Sequence, residues 1–202
     1  MSACWSDISS IFIRDKLGPL RRSAVAYCVR ADSVVVETRV PISKDDFRQV
    51  MGHFVTGVTV ITTAHDGEVR GMTANSVTSV SLEPLSVLVC VNHEAITHRI
   101  LSAGRVFCVN VLSDDQEALS RACAKPDTPE AGLEGVLYHV GETGAPIIDG
   151  AIAYLDCKVT SQFEFGTHTL FIGEPTEGGA TTGEPLVFYR GKYTKLREWA
   201  PA

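Results

Sequence analysis

The pattern of hydrophobic and polar residues first predicts a helix that begins after Ser43. Serine is favoured at helix N-caps because its hydroxyl accepts a hydrogen bond from a free backbone N–H group. The apolar residues that follow recur at the i, i+3, i+4, i+7 spacing of one helix face. These residues are Phe47, Val50, Met51 and Phe54. The pattern predicts a helix that buries this stripe and ends at Thr56-Gly57.

Two further short helices are predicted by apolar spacing and by end signals. Residues 95–103 carry one apolar face, and Gly104 follows at the position where a helix end favours glycine. The sequence Ser-Asp-Asp-Gln at residues 113–116 has the form of a capping box and precedes another apolar face. We expect that helix to end before Pro126.

Most of the remaining chain has the β-branched or alternating character of strands. The predicted strands cover residues 33–40, 58–63, the segment from 69 onward, 76–80, 85–91, 106–111, the segment around Tyr138, 151–165, 170–176 and 185–189. Asp66-Gly67 between two of these runs favours a tight hairpin turn.

Strict alternation within residues 151–165 predicts a strand with one buried and one wet face. The predicted buried residues are Ala151, Ala153, Leu155, Cys157 and Val159. The predicted wet residues are Tyr154, Asp156, Lys158 and Thr160.

About eight strands against two or three short helices, without strict strand–helix alternation, favour a barrel with helices packed over its ends. The confident elements start near residue 44. We therefore expect one domain over residues 44–199, preceded by an N-terminal extension of uncertain order over residues 1–43.

Composition and charge narrow the classes of function. Hydrophobic residues make up 45% of the 202 residues and charged residues 21%, which predicts an ordinary packed core. The formal net charge of -6 gives no global basic field for a nucleic-acid partner. The N-terminal segment lacks the apolar region of a secretory signal, and no apolar run reaches the ~20 residues of a membrane span. The cytoplasm is the expected location.

Six cysteines are present, without a CxxC pair or histidine spacing typical of zinc. Cys90, Cys108 and Cys157 lie within apolar or alternating runs. We expect these three to be buried core thiols in a reducing compartment, with no disulfide framework and no metal centre.

Residues 71–81, GMTANSVTSVS, concentrate hydroxyl groups and one amide within a β-rich region. A phosphate-bearing heteroaromatic ligand requires this mixture of small residues, hydroxyls and backbone N–H groups. An edge strand with a solvated Ser/Thr face has the same composition. Composition alone leaves both interpretations open.

Six separated segments carry a family resemblance: HFVTGVTVITT at 53–63, GMTANSVTSVSLEPLSVLVCVN at 71–92, GRVFCVNVL at 104–112, APIIDGAIAYLDCKV at 145–159, GTHTLFIGEP at 166–175 and PLVFYRGKY at 185–193. With these segments the chain resembles the flavin reductase family, the small reductase components of two-component flavin-dependent monooxygenases. The resemblance implies a mainly β (α+β) fold, an FMN-binding split β-barrel of Greek-key type with a few short helices packed on the barrel.

The same resemblance implies an NAD(P)H-dependent flavin reductase. Such an enzyme passes a hydride from NADH, or alternatively NADPH, to FMN or FAD and supplies reduced flavin to a partner monooxygenase. Hydride transfer needs no strong protein acid or base, which agrees with the lack of a nucleophile or carboxylate pair. A homodimer completing the groove is expected. A noncatalytic flavin- or haem-binding protein and a direct flavin oxidase of the same fold remain alternatives.

Carried over by position, the resemblance implies a set of flavin-binding residues. Those expected around the isoalloxazine and ribityl groups are Thr73, Ala74, Asn75 and Ser76, with Ser79 close by. Those expected along the ribityl phosphate are Val91, Asn92 and Thr97, where the free N–H groups of a helix start favour an anion. Phe107 and Asn110 are expected in the pocket wall, although a core phenylalanine and an asparagine paired with backbone would fit the same positions.

His168 is the candidate for positioning the nicotinamide nucleotide, together with Gly166. The family segment is usually Gly-Asp-His, whereas this chain has Gly166-Thr167-His168. The missing acidic residue leaves the choice between NADH and NADPH open. Outside the resemblance, a lone histidine in a strand is more often structural.

Overall fold

The computed structural model describes residues 42–125 and 128–196. The predicted strand at 33–40 and almost all of the predicted extension at 1–43 lie outside the described residues. The boundary expected near residue 44 therefore stays a prediction.

Three α-helices, one 3-10 turn and twelve strands occur in the described ranges. The helices are α1 (Lys44–Met51), α2 (Ile96–Gly104) and α3 (Glu117–Cys123), with the 3-10 turn at Pro129–Gly132. The strands are β1 (Thr56–Gly57), β2 (Thr59–His65), β3 (Glu68–Ala74), β4 (Val77–Leu82), β5 (Leu85–Asn92), β6 (Val106–Val111), β7 (Tyr138–Val140), β8 (Pro146–Ile148), β9 (Ala153–Phe165), β10 (His168–Ala180), β11 (Val187–Tyr189) and β12 (Lys192–Thr194). The short strands β1, β8 and β12 were not predicted from the sequence pattern.

Seven strands form one antiparallel sheet in the order β3-β2-β6-β9-β10-β5-β4. The long strands β9 and β10 pair along their length and join the two halves of the sheet. Two small sheets, β1-β11-β12 and β7-β8, complete the strands. The mainly β class with a few short helices is confirmed.

The predicted hairpin at Asp66-Gly67 is confirmed between β2 and β3. Both turn residues have positive φ, 49° for Asp66 and 80° for Gly67, as the favoured two-residue hairpin turn requires. The hairpin holds Thr73 and Ala74 of β3 against Val60 and Thr59 of β2. The hydroxyl-rich segment at 71–81 runs from β3 into β4, the two outermost strands of the large sheet.

The core lies on both faces of β2. Ile61 belongs to a large cluster between the sheet halves, and Val60 belongs to a second cluster with α3. The large cluster consists of Ile61, Val87, Val89, Val91, Leu101, Phe107, Val109, Cys157, Val159 and Phe171. Burial on both faces explains why the sequence of β2 reads as continuous rather than alternating.

The helix predicted after Ser43 is present as α1, but the expected burial of its apolar stripe is wrong. None of its residues is buried, and Phe47 and Val50 are 56% and 61% exposed. Phe54, just beyond the helix, is 70% exposed. Spacing predicts which residues share a face, whereas burial requires another element to cover that face.

The ends of the other two helices differ from the prediction. Gly104 is the last helical residue of α2, and Arg105 takes the left-handed position with φ 54°. Glycine is required at 104 for another reason, because a Cβ there would lie 2.5 Å from the Ala64 carbonyl oxygen. Helix α3 starts at Glu117, and only half of the capping box forms: the Gln116 side chain accepts the Ser113 N–H at 3.2 Å.

The predicted alternation along β9 fails at Asp156 and Leu155. Asp156 is fully buried, whereas Leu155 is 37% exposed. The Asp156 carboxylate accepts hydrogen bonds from the backbone N–H and the hydroxyl of Thr143, at 2.7 and 2.5 Å. A loop that is distant in sequence therefore covers the face predicted to be wet and satisfies the buried carboxylate.

Candidate functional site

A cavity of about 440 Å³ lies between β3, the end of β5 and the start of α2. It is lined by Arg70, Gly71, Met72, Thr73, Asn92, Glu94, Ala95, Ile96, Thr97, Cys123, Ala124 and Ala131. Three of the predicted flavin-binding residues, Thr73, Asn92 and Thr97, are brought together here from three separate elements. The volume lies in the range of about 300–1,000 Å³ that is usual for small-molecule sites.

The N-terminus of α2 forms one wall of this cavity. The N-cap residue, Ala95, makes no side-chain cap hydrogen bond, and the first N–H groups of a helix have no partner within the helix. The turn before the helix is held by Asn92, whose Oδ1 accepts the Glu94 N–H at 2.8 Å and whose carbonyl accepts the Ala95 N–H at 3.0 Å. Free N–H groups and the helix dipole suit an anion at this wall.

Arg70 is the one cationic residue among the described residues that line the cavity. Arg70 also lines a second cavity of about 520 Å³. Ile96 likewise lines both cavities. The second cavity is formed by Gly67, Glu68, Val69, Arg70, Ile96, Thr128, Pro129, Gly132 and Glu134. Arg70 was not among the site residues predicted from the sequence, although its position directly before the hydroxyl-rich segment was a usable signal.

Thr73 and Gly71 shape the floor of the first cavity. The Thr73 hydroxyl donates to the Ser120 carbonyl at 2.6 Å, which leaves its oxygen lone pairs for a ligand donor. A Cβ on Gly71 would lie 3.1 Å from side-chain atoms of both Val60 and Leu133. Glycine therefore lets the β3 backbone pack closely against these two core side chains.

The remaining hydroxyl-rich residues follow Thr73 through the end of β3 and the connection at 75–76 into β4. Ala74 is half-buried, whereas Asn75, Ser76 and Ser79 are exposed. The Ser76 hydroxyl contacts the Cys90 carbonyl at 3.3 Å. The exposed amide and the two exposed hydroxyls are accessible to a ligand, and their assignment as flavin contacts stays a prediction.

Three predicted site residues lie in the core instead of on an accessible wall. Val91 and Phe107 are fully buried in the large cluster. Asn110 is also fully buried, and both ends of its amide already have protein partners. Phe107 is therefore a core residue and Asn110 pairs with the backbone, as the alternatives for these two positions stated. Val91 can offer a ligand only its backbone.

Gly166 and His168 lie at the turn between β9 and β10. Gly166 has φ 60°, a conformation that favours glycine, and the His168 Nδ1 lies 2.9 Å from the Thr167 hydroxyl. In the β5–β10 register, His168 lies directly opposite Asn92. The candidate nicotinamide residue is thus one strand spacing away from a residue that lines the cavity.

Of the three cysteines predicted to be buried core thiols, Cys108 and Cys157 are buried, whereas Cys90 is only half-buried. The four that the structure describes, Cys90, Cys108, Cys123 and Cys157, are free thiols, and the last three are buried. Burial raises the pKa of Cys157 to about 12, and the nearby Asp156 acts in the same direction. Burial also raises the pKa of Cys90 and Cys108. These thiols are protonated at neutral pH and unsuited to nucleophilic catalysis.

Several known proteins are similar to this chain in sequence. The family model described as "Flavin reductase like domain" matches residues 51–197. The reductase component of 4-nitrophenol 4-monooxygenase/4-nitrocatechol 2-monooxygenase from Rhodococcus opacus is 41% identical over 153 residues, covering 76% of this chain and 81% of the relative. An NADH-dependent FAD reductase from Streptomyces globisporus is 41% identical over 165 residues, covering 80% and 88%.

A solved structure supports the fold assignment. The NADH:FAD oxidoreductase SgcE6 of Streptomyces globisporus C-1027, in complex with NAD and FAD fragments, superposes with a TM-score of 0.70 at 41% identity. The match covers 78% of this chain and 93% of that chain.

Within the described ranges, no helix is long and apolar enough to cross a membrane.

Proposed function

The chain belongs to the flavin reductase-like family, and on that premise we propose that it reduces FMN or FAD with a nicotinamide nucleotide and supplies the reduced flavin to a partner monooxygenase. The observation that carries the proposal is the agreement between the relatives and the cavity. Two relatives at 41% identity are named as a monooxygenase reductase component and an NADH-dependent FAD reductase. The cavity at the start of α2 joins an anion-binding helix end to a polar strand edge.

The described residues fit a flavin. Arg70 and the uncapped N-terminus of α2 would hold the phosphate, together with Asn92 and Thr97. The ring and ribityl chain would contact Thr73, Ala74, Asn75, Ser76 and Ser79, between the end of β3 and β4. Phe107 and Asn110 would act only indirectly, by fixing the strands beneath the site.

When bound, the flavin supplies the hydride acceptor of the reaction. The protein's own part is to position both nucleotides and to limit water at their contact. His168 is proposed to orient the nicotinamide, supported by its place opposite Asn92. Gly166 supplies the left-handed turn that directs the strand containing His168.

NADH is the proposed hydride donor, since one relative's name specifies NADH. We also propose that FAD is preferred to FMN. The second cavity shares Arg70 and Ile96 with the first, and its additional volume of about 520 Å³ is available to a ligand longer than FMN. Arg70 lies at the junction, where a pyrophosphate linking the two halves of FAD would need a cation.

A homodimer is the proposed assembly, because α1 and β9 expose large apolar side chains. Phe47, Val50 and Phe54 are 56%, 61% and 70% exposed, and Phe163 and Phe165 are 57% and 80% exposed. Large apolar side chains left exposed in this way suit an interaction site. Light scattering after size-exclusion chromatography should give twice the chain mass, and Phe54→Ser should shift the mass toward that of one chain.

The cytoplasm is the proposed location. The four described cysteines are free thiols, which is the form that a reducing compartment maintains. Fractionation of cells that express the untagged chain should recover it with cytoplasmic markers. Recovery in an oxidising compartment would contradict this location.

The central experiment measures NADH and NADPH oxidation with no flavin, with FMN and with FAD. We expect flavin-stimulated turnover, highest kcat/KM with FAD and NADH. Capture of the product by a separately purified flavin-dependent monooxygenase tests release of reduced flavin. Flavin binding without turnover under either nucleotide would contradict the reductase and favour a binding protein. Turnover confined to tightly bound flavin, with no transfer, would favour an oxidase.

A further inference from the structure

His93, His98 and Glu164 form a cluster that the flavin site does not use. One potential ligand atom from each of the three side chains lies within 4.8 Å of the other two. The His93 Nε2 is 2.8 Å from a Glu164 carboxylate oxygen. The His98 Nε2 is 2.7 Å from the Thr169 hydroxyl, which donates to the other Glu164 oxygen at 3.1 Å. Within the described ranges this is the only such group of three histidine, cysteine or acidic side chains.

The fold brings these residues together from three elements. His93 lies in the turn between β5 and α2, and its backbone N–H donates to the Thr167 carbonyl at 3.0 Å. His98 lies in the first turn of α2 and packs its ring against Phe171, which is fully buried. Glu164 is held in place by strand pairing, because it lies directly opposite Thr169 in the β9–β10 register. The backbone positions of all three side chains are therefore set before any ligand binds.

The cluster is separate from the proposed nicotinamide residue. His168 and Thr169 are consecutive in β10, and consecutive strand residues point to opposite faces. His98 and Glu164 gather around Thr169, so the cluster lies on the face away from His168. The His93 N–H, which donates to the Thr167 carbonyl, connects the cluster to the residue before His168.

We propose that His93, His98 and Glu164 bind one divalent transition-metal ion of the zinc class, with Thr169 orienting His98. Two imidazoles and one carboxylate are a donor set that Zn²⁺ takes with a fourth, open position for water. Mg²⁺ and Ca²⁺ prefer oxygen ligands, so they are expected to compete poorly.

The electrostatics of the cluster suit a cation. Metal binding requires neutral imidazole and a deprotonated carboxylate, and this cluster offers two imidazoles and one carboxylate. The carboxylate supplies the negative charge, and the half-buried position of His98 limits competition by water.

The test uses the full chain, freed of any affinity tag and stripped with a chelator. Zn²⁺ affinity is measured by competition with a chromophoric chelator, and Co²⁺ is used as a visible-spectrum probe of the ligand set. We expect one tight equivalent per chain, a rise in Tm with Zn²⁺, and at least tenfold weaker binding in His98→Ala and Glu164→Gln. The control is His139→Ala, since His139 pairs with Asp149 at 3.0 Å outside the cluster.

Glu164→Gln keeps the proposal falsifiable if His98→Ala fails to fold. Its side chain is 65% exposed, and glutamine can still accept the Thr169 hydroxyl hydrogen. Zn²⁺ affinity equal in wild type and Glu164→Gln, or lost equally in His139→Ala, would overturn the proposal. Chelator-treated protein should still reduce flavin, so failure of the metal site and failure of the reductase function are distinguishable.

Discussion

Asn110→Ala separates a structural role for this residue from the role in the pocket wall that sequence analysis predicted. The Asn110 amide nitrogen donates to the Val60 carbonyl at 3.1 Å and to the Thr62 hydroxyl at 3.0 Å. Its amide oxygen accepts the Ile148 N–H at 2.7 Å. These bonds connect β6 to β2 and to β8, and Asn110 is fully buried. Alanine removes all of them.

The expected destabilisation follows from the groups left behind. A buried N–H or carbonyl without a partner costs about 1–3 kcal/mol, and each lost neutral hydrogen bond contributes about 1 kcal/mol. Ile148 N–H loses the acceptor shown in the structure, and Val60 O keeps only its strand partners. We therefore expect the free energy of unfolding to fall by about 3–4 kcal/mol. With a urea m-value of ~2 kcal/mol per M, the midpoint should fall by about 1.5–2 M.

The assay pairs urea unfolding with the KM for flavin, both measured well below the Tm. Asn75→Ala is the matched control, because Asn75 is the exposed asparagine of the same predicted site. It should leave stability within about 0.5 kcal/mol of wild type. It should also raise the flavin KM about fivefold to tenfold, as expected for one lost hydrogen bond. A raised flavin KM with unchanged stability in Asn110→Ala would refute the structural assignment.

Three further changes test other parts of the molecule. Arg70→Gln should raise the KM for FMN and FAD about tenfold, because it removes a charge-assisted hydrogen bond to phosphate of about 1.5 kcal/mol. The KM for riboflavin, which lacks phosphate, should not change. Gly104→Ala should lower the free energy of unfolding by about 1–2 kcal/mol, because its Cβ would lie 2.5 Å from the Ala64 carbonyl oxygen. Gly57→Ala is the control: its Cβ would have open space around it, so its urea unfolding curve should be nearly that of wild type. Burial lowers the pKa of His98 in the folded protein. Its contribution to stability is therefore present above its unfolded pKa and declines as pH falls through its folded pKa. His98→Gln should flatten the dependence of the unfolding free energy on pH between about pH 5 and 7, measured without metal.

Local signals in the sequence predicted the elements that depend on local chemistry. The Asp66-Gly67 turn, the strand content and the position of α2 follow from backbone preferences and side-chain periodicity over a few residues. The family segments also predicted Thr73, Asn92 and Thr97, which line one cavity. These predictions needed no knowledge of what packs against each element.

Burial could not be predicted in the same way, because it depends on partners from elsewhere in the chain. Asp156 reads as a wet strand residue, yet Thr143 covers it and satisfies its carboxylate. The stripe of α1 reads as buried, yet no described element covers it. Asn110 reads as a candidate ligand, yet β2 and β8 occupy its amide.

Local sequence patterns and the family segments were enough to predict a mainly β flavin reductase-like domain, its hairpins and helices, and the segments that contribute to the site. The folded chain was needed to show which of those side chains face a cavity, that Arg70 lies between two cavities, and that His93, His98 and Glu164 meet. The physical reason is that periodicity and turn chemistry act over neighbouring residues, whereas a site consists of atoms whose proximity depends on strand register and packing between distant segments.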